Sequence, residues 1–204
     1  MADKEDTQYV SKYREIEMKY YADSISIQKF TEFAEKFKPT KFVEVGSFDH
    51  YYDSNGQDFG FEFLRYREGP QPELTIKEKL SDKNNNNRIE VDLPLDPERC
   101  TRADVKAFCD RFKFEHNVSI FKYCYIYWYE NLTLVYYIVY DSDMKEKNRY
   151  IEIEARKDIE HADESVAVDI VKKFEVNLAE LGITPHGRLK KSQWEINRKD
   201  KSKK

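Results

Sequence analysis

The chain has only three cysteines in 204 residues, and Cys100, Cys109 and Cys124 are spaced neither as a disulfide framework nor as a metal motif. A disulfide-held scaffold is thereby excluded, and a reducing compartment fits. The four histidines, His50, His116, His161 and His186, show no ligand or nucleophile spacing, so they are expected on the surface or in loops. No apolar run approaches the ~20 residues a membrane helix needs; the longest lies around residues 132–140. The start, Met1-Ala2-Asp3-Lys4-Glu5-Asp6, is polar and acidic rather than a secretory signal, so a cytoplasmic location and no membrane partner are expected. An excess of positive charge is also missing. The formal net charge of -4 argues against a protein that coats nucleic acid nonspecifically.

What is present is hydrophobic patterning interleaved with charge. Hydrophobic residues make up 40% and aromatics 15%, too rich for a disordered chain despite 36% charged residues. The length suits one domain, expected over residues 1–197, with a basic disordered tail at 198–204. Charges alternate with apolar residues in segment after segment. Glu15, Glu17 and Lys19 are separated by Ile16 and Met18; Arg65 and Arg67 flank Tyr66; Lys77 and Lys79 follow Leu74 and Ile76. Arg88, Glu90 and Asp92 alternate with Ile89 and Val91, and Glu152 and Glu154 with Ile151 and Ile153. Side chains of a strand repeat every two residues, so each segment has one ionic and one apolar face. Five such strands carrying both signs suggest ionic faces that look at one another across a barrel interior.

The order of elements agrees with that picture. Strands are predicted over residues 13–20, 42–52, 61–67, 73–79, 88–93, 119–129, 132–141 and 150–156, with a last short one at 194–196. Helices are predicted from residue 23 or 24 to 38, from about 96–101 through Phe112, and from 163 to 181, where Gly182 suits a C-terminal cap. The tyrosines at 123, 125, 127 and 129 alternate and are assigned to an outer packing face. The expected fold is α+β: a closed antiparallel eight-stranded β-barrel, its outward apolar faces covered by three amphipathic helices.

Several segments, in order, resemble the CYTH superfamily of triphosphate tunnel metalloenzymes, from about residue 9 to 196. Glu15-Ile16-Glu17-Met18-Lys19 is similar to the ExExK opening, and Asp49-His50-Tyr51-Tyr52-Asp53 to a D-x-Y-x-D strand end. Leu64-Arg65-Tyr66-Arg67 resembles LRxR, Leu74-Thr75-Ile76-Lys77 resembles LTxK, and Arg88-Ile89-Glu90-Val91-Asp92 the strand after it. Asp141, Glu152-Ile153-Glu154 and Lys191-Ser192-Gln193-Trp194 match the later elements.

The resemblance implies an enzyme that takes a small-molecule triphosphate with Mg²⁺ or Mn²⁺. Glu15, Glu17, Asp141, Glu152 and Glu154 are the implied metal ligands, hard oxygen donors of the kind those ions prefer. Lys19, Arg65, Arg67, Lys77, Lys122 and Lys191 are the implied phosphate-binding residues, and Glu15, Glu17, Lys19 and Lys77 the implied catalytic ones. Arg forks match phosphate oxygens and Lys supplies point charge. Lys79, Arg88, Glu90 and Asp92 share the inward parity and read as internal ion-pair partners. One departure stands out: where the family carries K-x-R, this chain has Lys122-Tyr123-Cys124. A glycine turn before the late ExE is likewise replaced, by residues 144–148. A triphosphatase is the favoured expectation, as a monomer or homodimer. A class IV adenylyl cyclase comes second, on residues 8–13 and the Asn55-Gly56-Gln57-Asp58 turn. A non-catalytic phosphate binder, suggested by Cys124, and an RNA 5′-triphosphatase follow.

Overall fold

The computed structural model describes residues 11–53, 60–78, 87–155 and 164–198. Its strands are β1 Ser11–Tyr21, β2 Lys41–Asp53, β3 Phe61–Glu68, β4 Glu73–Glu78, β5 Asn87–Pro94, β6 Glu115–Trp128, β7 Leu132–Tyr140, β8 Glu146–Ala155 and the two-residue β9 Arg188–Leu189. Its helices are α1 Ile27–Glu35, α2 Arg102–Arg111, α3 Glu164–Glu175 and α4 Gln193–Asn197. The strands form one antiparallel sheet in the order β5-β4-β3-β2-β6-β7-β8-β1-β9. β1 joins its ends: residues 11–16 pair with β5 and residues 17–21 with β8. The eight long strands therefore pair in a circuit around a tunnel, as expected.

The apolar parity builds the outside. Ile16, Met18 and Tyr20 of β1, Leu134, Tyr136 and Ile138 of β7, and Ile151 and Ile153 of β8 form one buried cluster. Over it lie Phe30, Phe33 and Ala34 of α1 and Ala167 and Val171 of α3. Fully burying a side chain such as Phe30 contributes about 1.5–3 kcal/mol, so this jacket carries much of the fold's stability. Tyr127 and Tyr129 are buried here, while Tyr125 packs against the rim of the cluster. A second outer cluster joins Val105 and Cys109 of α2 to Tyr52, Leu64 and Tyr66.

Local signals set the helix ends. Ser26 caps α1 by accepting from the Lys29 N–H, and Thr101 with Asp104 forms a capping box on α2. The α-helical part of the third helix stops at Glu175; a 3-10 turn continues to Leu181, and Gly182 caps it at φ 82°. Met144 adopts φ 58° where a glycine turn was missed, a conformation that costs a non-glycine residue some strain.

One element was misread. Residues 194–196 are not a strand but the centre of α4, because Ser192 and Glu195 make a capping box that starts a helical turn. The strand of this region is β9, six residues earlier, beside β1. Trp194 and Ile196 of α4 pack with Tyr51, Phe63, Ile120, Val139 and Tyr150. That cluster has the inward parity, so part of the tunnel is apolar and filled. Residues 8–10, the turn at 54–59, Lys79 and the tail from residue 199 lie outside the described residues.

Candidate functional site

The alternating charges converge inside the circuit. A tunnel cavity of about 220 Å³ is lined by Glu15, Glu17 and Lys19 from β1, Arg65 and Arg67 from β3, Glu73 and Lys77 from β4, and Glu90 and Asp92 from β5. Lys122 of β6 and Glu152 and Glu154 of β8 complete its charged wall. Register explains the convergence, since Glu17 stands opposite Glu154, Lys19 opposite Glu152, Asp49 opposite Arg67 and Lys77 opposite Glu90.

At one end carboxylates crowd together. Glu15, Glu17 and Glu154 each offer an oxygen within 4.8 Å of the others. Burial, then Glu152 and Glu17, push the Glu154 carboxyl up to about 8. Burial and Glu90 also hold Glu15 well above the usual range, against the pull of Lys77, with which it is ion-paired. Three half-buried carboxylates at this spacing repel one another, and a divalent cation between them would relieve what Lys19 and Lys77 leave. The residues present thus fit a hard divalent ion.

At the other end cations surround a fully buried acid. Asp49 is 0% exposed; Arg67 donates through Nε to its Oδ1 at 2.9 Å, and Lys122 reaches Oδ2 at 2.5 Å. Burial alone would raise this carboxyl, but Arg67, Lys122 and Arg65 hold it well below the carboxylate range. Arg65 and Arg67 both donate to Glu73 Oε1, each at 3.1 Å. The buried Nε of Arg65 has no hydrogen-bond partner among the described residues. A buried guanidinium N–H left unsatisfied is costly and offers itself to an anion.

Between the two ends, Lys19 bridges Glu17 at 3.1 Å and Glu152 at 2.9 Å. Lys77 bridges Glu15 and Glu90. The two signs therefore interleave rather than occupy separate walls.

A family model described as "CYTH domain" matches residues 13–182. The chain belongs to the CYTH family. No curated protein matches it. Among solved structures, a conserved hypothetical protein from Pyrococcus furiosus superposes with TM-score 0.64 at 21% identity, covering 89% of this chain and 99% of that one. PH1012 from Pyrococcus horikoshii OT3 gives TM-score 0.66 at 19%, covering 89% and 98%. A candidate adenylate cyclase from Vibrio parahaemolyticus gives 0.65 at 14%, covering 90% and 97%. At these identities the likeness shows the shared fold.

The CYTH tunnel of this chain takes in nine of the eleven residues assigned from sequence: Glu15, Glu17, Lys19, Arg65, Arg67, Lys77, Lys122, Glu152 and Glu154. Asp141 is not brought in. It is exposed at the β7–β8 turn, where its Oδ1 accepts the N–H groups of Asp143 at 2.9 Å and Lys145 at 3.0 Å. An aspartate capping its own turn satisfies the local backbone first. Lys191 is exposed ahead of α4, and its neighbours Ser192 and Gln193 line the tunnel instead. Cys124 is half-buried in the inner apolar cluster, opposite Tyr137, and burial pushes its thiol up to about 11.

Sequence reasoning left Asp49, Glu73, Tyr137 and Gln193 without a role. Gln193 donates to the Tyr137 hydroxyl at 2.9 Å, which donates to Glu152 at 2.7 Å. Lys122 lies 5.4 Å over the same tyrosine ring. Inward parity marked Asp49 and Glu73, whereas Tyr137 sits in an unbroken apolar strand that offers no signal. His50 was expected on the surface or in a loop, yet it lies in β2 and is 1% exposed, because the outer face of that strand is covered by aromatic neighbours. Among the described residues no helix is long and apolar enough to cross a membrane.

Proposed function

We propose that this CYTH protein is a divalent-metal-dependent enzyme acting on a soluble triphosphate, with hydrolysis of the terminal phosphate as its reaction. One observation carries the reading: a three-carboxylate cluster and a cluster of guanidinium and ammonium groups face the same buried tunnel. A triphosphate needs both.

Glu15, Glu17 and Glu154 would hold the metal, with Glu152 behind them on Lys19. A bound Mg²⁺ or Mn²⁺ would supply charge neutralisation at the phosphates and Lewis acidity toward an attacking water. The protein's own groups do the rest. Arg65 turns its unspent Nε toward a phosphate oxygen, while Arg67 and Lys122, fixed by Asp49, present a rigid cationic face. Such preorganised charge costs no reorganisation as the transition state forms. Glu73, the shared partner of both arginines, is 23% exposed at its side chain and is the acid a phosphate would displace. Gln193 and Tyr137 keep Glu152 aimed inward.

Cyclisation of ATP is the second reading, favoured by the fold shared with the candidate adenylate cyclase from Vibrio parahaemolyticus. The paired Arg65 and Arg67 favour hydrolysis. The test is product analysis after incubation with Mg²⁺ or Mn²⁺ and tripolyphosphate, thiamine triphosphate or ATP. Orthophosphate is the expected product. Cyclic AMP with pyrophosphate would replace hydrolysis by cyclisation, and tight binding without product would make the chain a binder.

A further inference from the structure

On the outer side of the same sheet, away from the tunnel, three side chains stand in the order acid, imidazole, hydroxyl. The geometry points to Ser119, His50 and Glu68 as a second, nucleophilic site that cleaves short-chain carboxylic esters.

His50 of β2 and Ser119 of β6 are directly opposite in the ladder, so the backbone fixes their approach. Nδ1 of His50 lies 2.7 Å from Ser119 Oγ, and Nε2 lies 2.9 Å from Glu68 Oε2. Nucleophile, base and orienting group within hydrogen-bond reach are the structural signature of an activated hydroxyl. The carboxylate can only accept, so Nε2 carries the proton and Nδ1 presents its lone pair to the serine. The imidazole cannot rotate freely: Phe48 and Tyr66 stack on it at 5.9 Å and 5.7 Å, with interplanar angles of 8° and 20°.

Burial holds His50 below the usual imidazole value despite Glu68, so it stays neutral and able to take a proton. The groups facing it are Glu68 of β3, Arg102 of α2, His116 and Ser119 of β6, Tyr66 of β3 and Asp49 of its own strand. His116 Nε2 lies 2.8 Å from the same Oγ and can steady charge developing there.

Ser119 opens onto a cavity of about 320 Å³ shared with His116, Tyr140, Ser142, Lys147 and Asn197. That volume and its mixed lining suit a small acyl group on a polar alcohol. β7 pairs with β6 only from Phe121 onward, so among the described residues no strand pairs with residues 118–120 on the edge facing this cavity. N–H groups alternate between the edges of a strand, which places either the Ser119 N–H or those of its neighbours there. A backbone donor beside the nucleophile is what a tetrahedral oxyanion requires.

In the reaction the Oγ–C bond forms as the Oγ proton passes to His50 Nδ1. The C–O bond to the alcohol then breaks, and the alcohol leaves with that proton. Water repeats the sequence and releases the acid, so ester and water become acid and alcohol.

The test uses the full chain with p-nitrophenyl acetate and a fluorophosphonate probe. The expected result is a burst of p-nitrophenolate and a probe adduct on the peptide containing Ser119. Both are lost in Ser119→Ala and fall ~10²-fold or more in His50→Gln, while Glu17→Gln labels like the parent. Because His50→Gln removes a buried group, melting curves accompany each variant, and the folded Ser119→Ala protein decides. A burst that survives in Ser119→Ala, or a folded parent protein that takes no probe at Ser119, would overturn the assignment.

Discussion

Asp49, fully buried behind the tunnel's cations, and Glu154, half-buried in the tunnel wall, are driven in opposite directions by their surroundings. Asp49 has Arg65, Arg67 and Lys122 around it and stays ionised far below the usual range. Glu154 has Glu152 and Glu17 beside it and is pushed up to about 8. Burial penalises both charges alike, so neighbours decide. One end of the tunnel therefore has a deficit of positive charge and the other a surplus of donors, and a metal–triphosphate complex satisfies both.

The comparison breaks hardest at Asp49. Replacing Asp49→Asn leaves the buried Lys122 without its acid and Arg67 with Glu73 alone, beside the buried Arg65. The expected cost is about 3–5 kcal/mol in urea unfolding, and added tripolyphosphate should restore part of it by supplying the missing negative charge. Glu154→Gln tests the opposite end. Turnover should fall 10²–10³-fold, about 2.7–4 kcal/mol, and the rise in Tm on adding Mg²⁺ should shrink. The metal-free Tm should not drop, because the substitution relieves repulsion rather than breaking a pair. Cys124→Arg sharpens the cationic end. A further charge-assisted hydrogen bond is worth about 1.5–3 kcal/mol, so calorimetry should show tripolyphosphate binding about tenfold tighter or better.

The smallest effect concerns His50, outside the tunnel. Its folded pKa lies below the unfolded value of about 6.5. The unfolded chain therefore binds the proton first, and stability should fall as pH drops through that value toward the folded one. Chemical denaturation between pH 7 and 5 should show the loss, reduced in a folded His50→Gln protein.

The fold was legible because a period of two is hard to mistake when charge marks one parity. Each long strand was found within a few residues, and Gly182 helped bound the third helix. Residues 194–196 failed because Trp and Ile in so short a stretch suit strand and helix alike, and the deciding signal was the polar pair Ser192 and Glu195. In the site, residues on alternating strands were found and residues beside turns were not: Asp141 and Lys191 lie at element ends, where local capping or solvent takes the side chain. The pairing of each cation with particular acids, and the reach of Tyr137 to Glu152, depend on register between distant strands. Nothing in a linear sequence states that register.

The claim that one tunnel holds metal and triphosphate together is tested most directly by a crystal grown with Mn²⁺ and tripolyphosphate, read in an anomalous difference map. The account predicts a manganese peak between Glu15, Glu17 and Glu154, with phosphates reaching Arg65, Arg67 and Lys122. Manganese bound away from those glutamates, or phosphates held outside the tunnel, would contradict it.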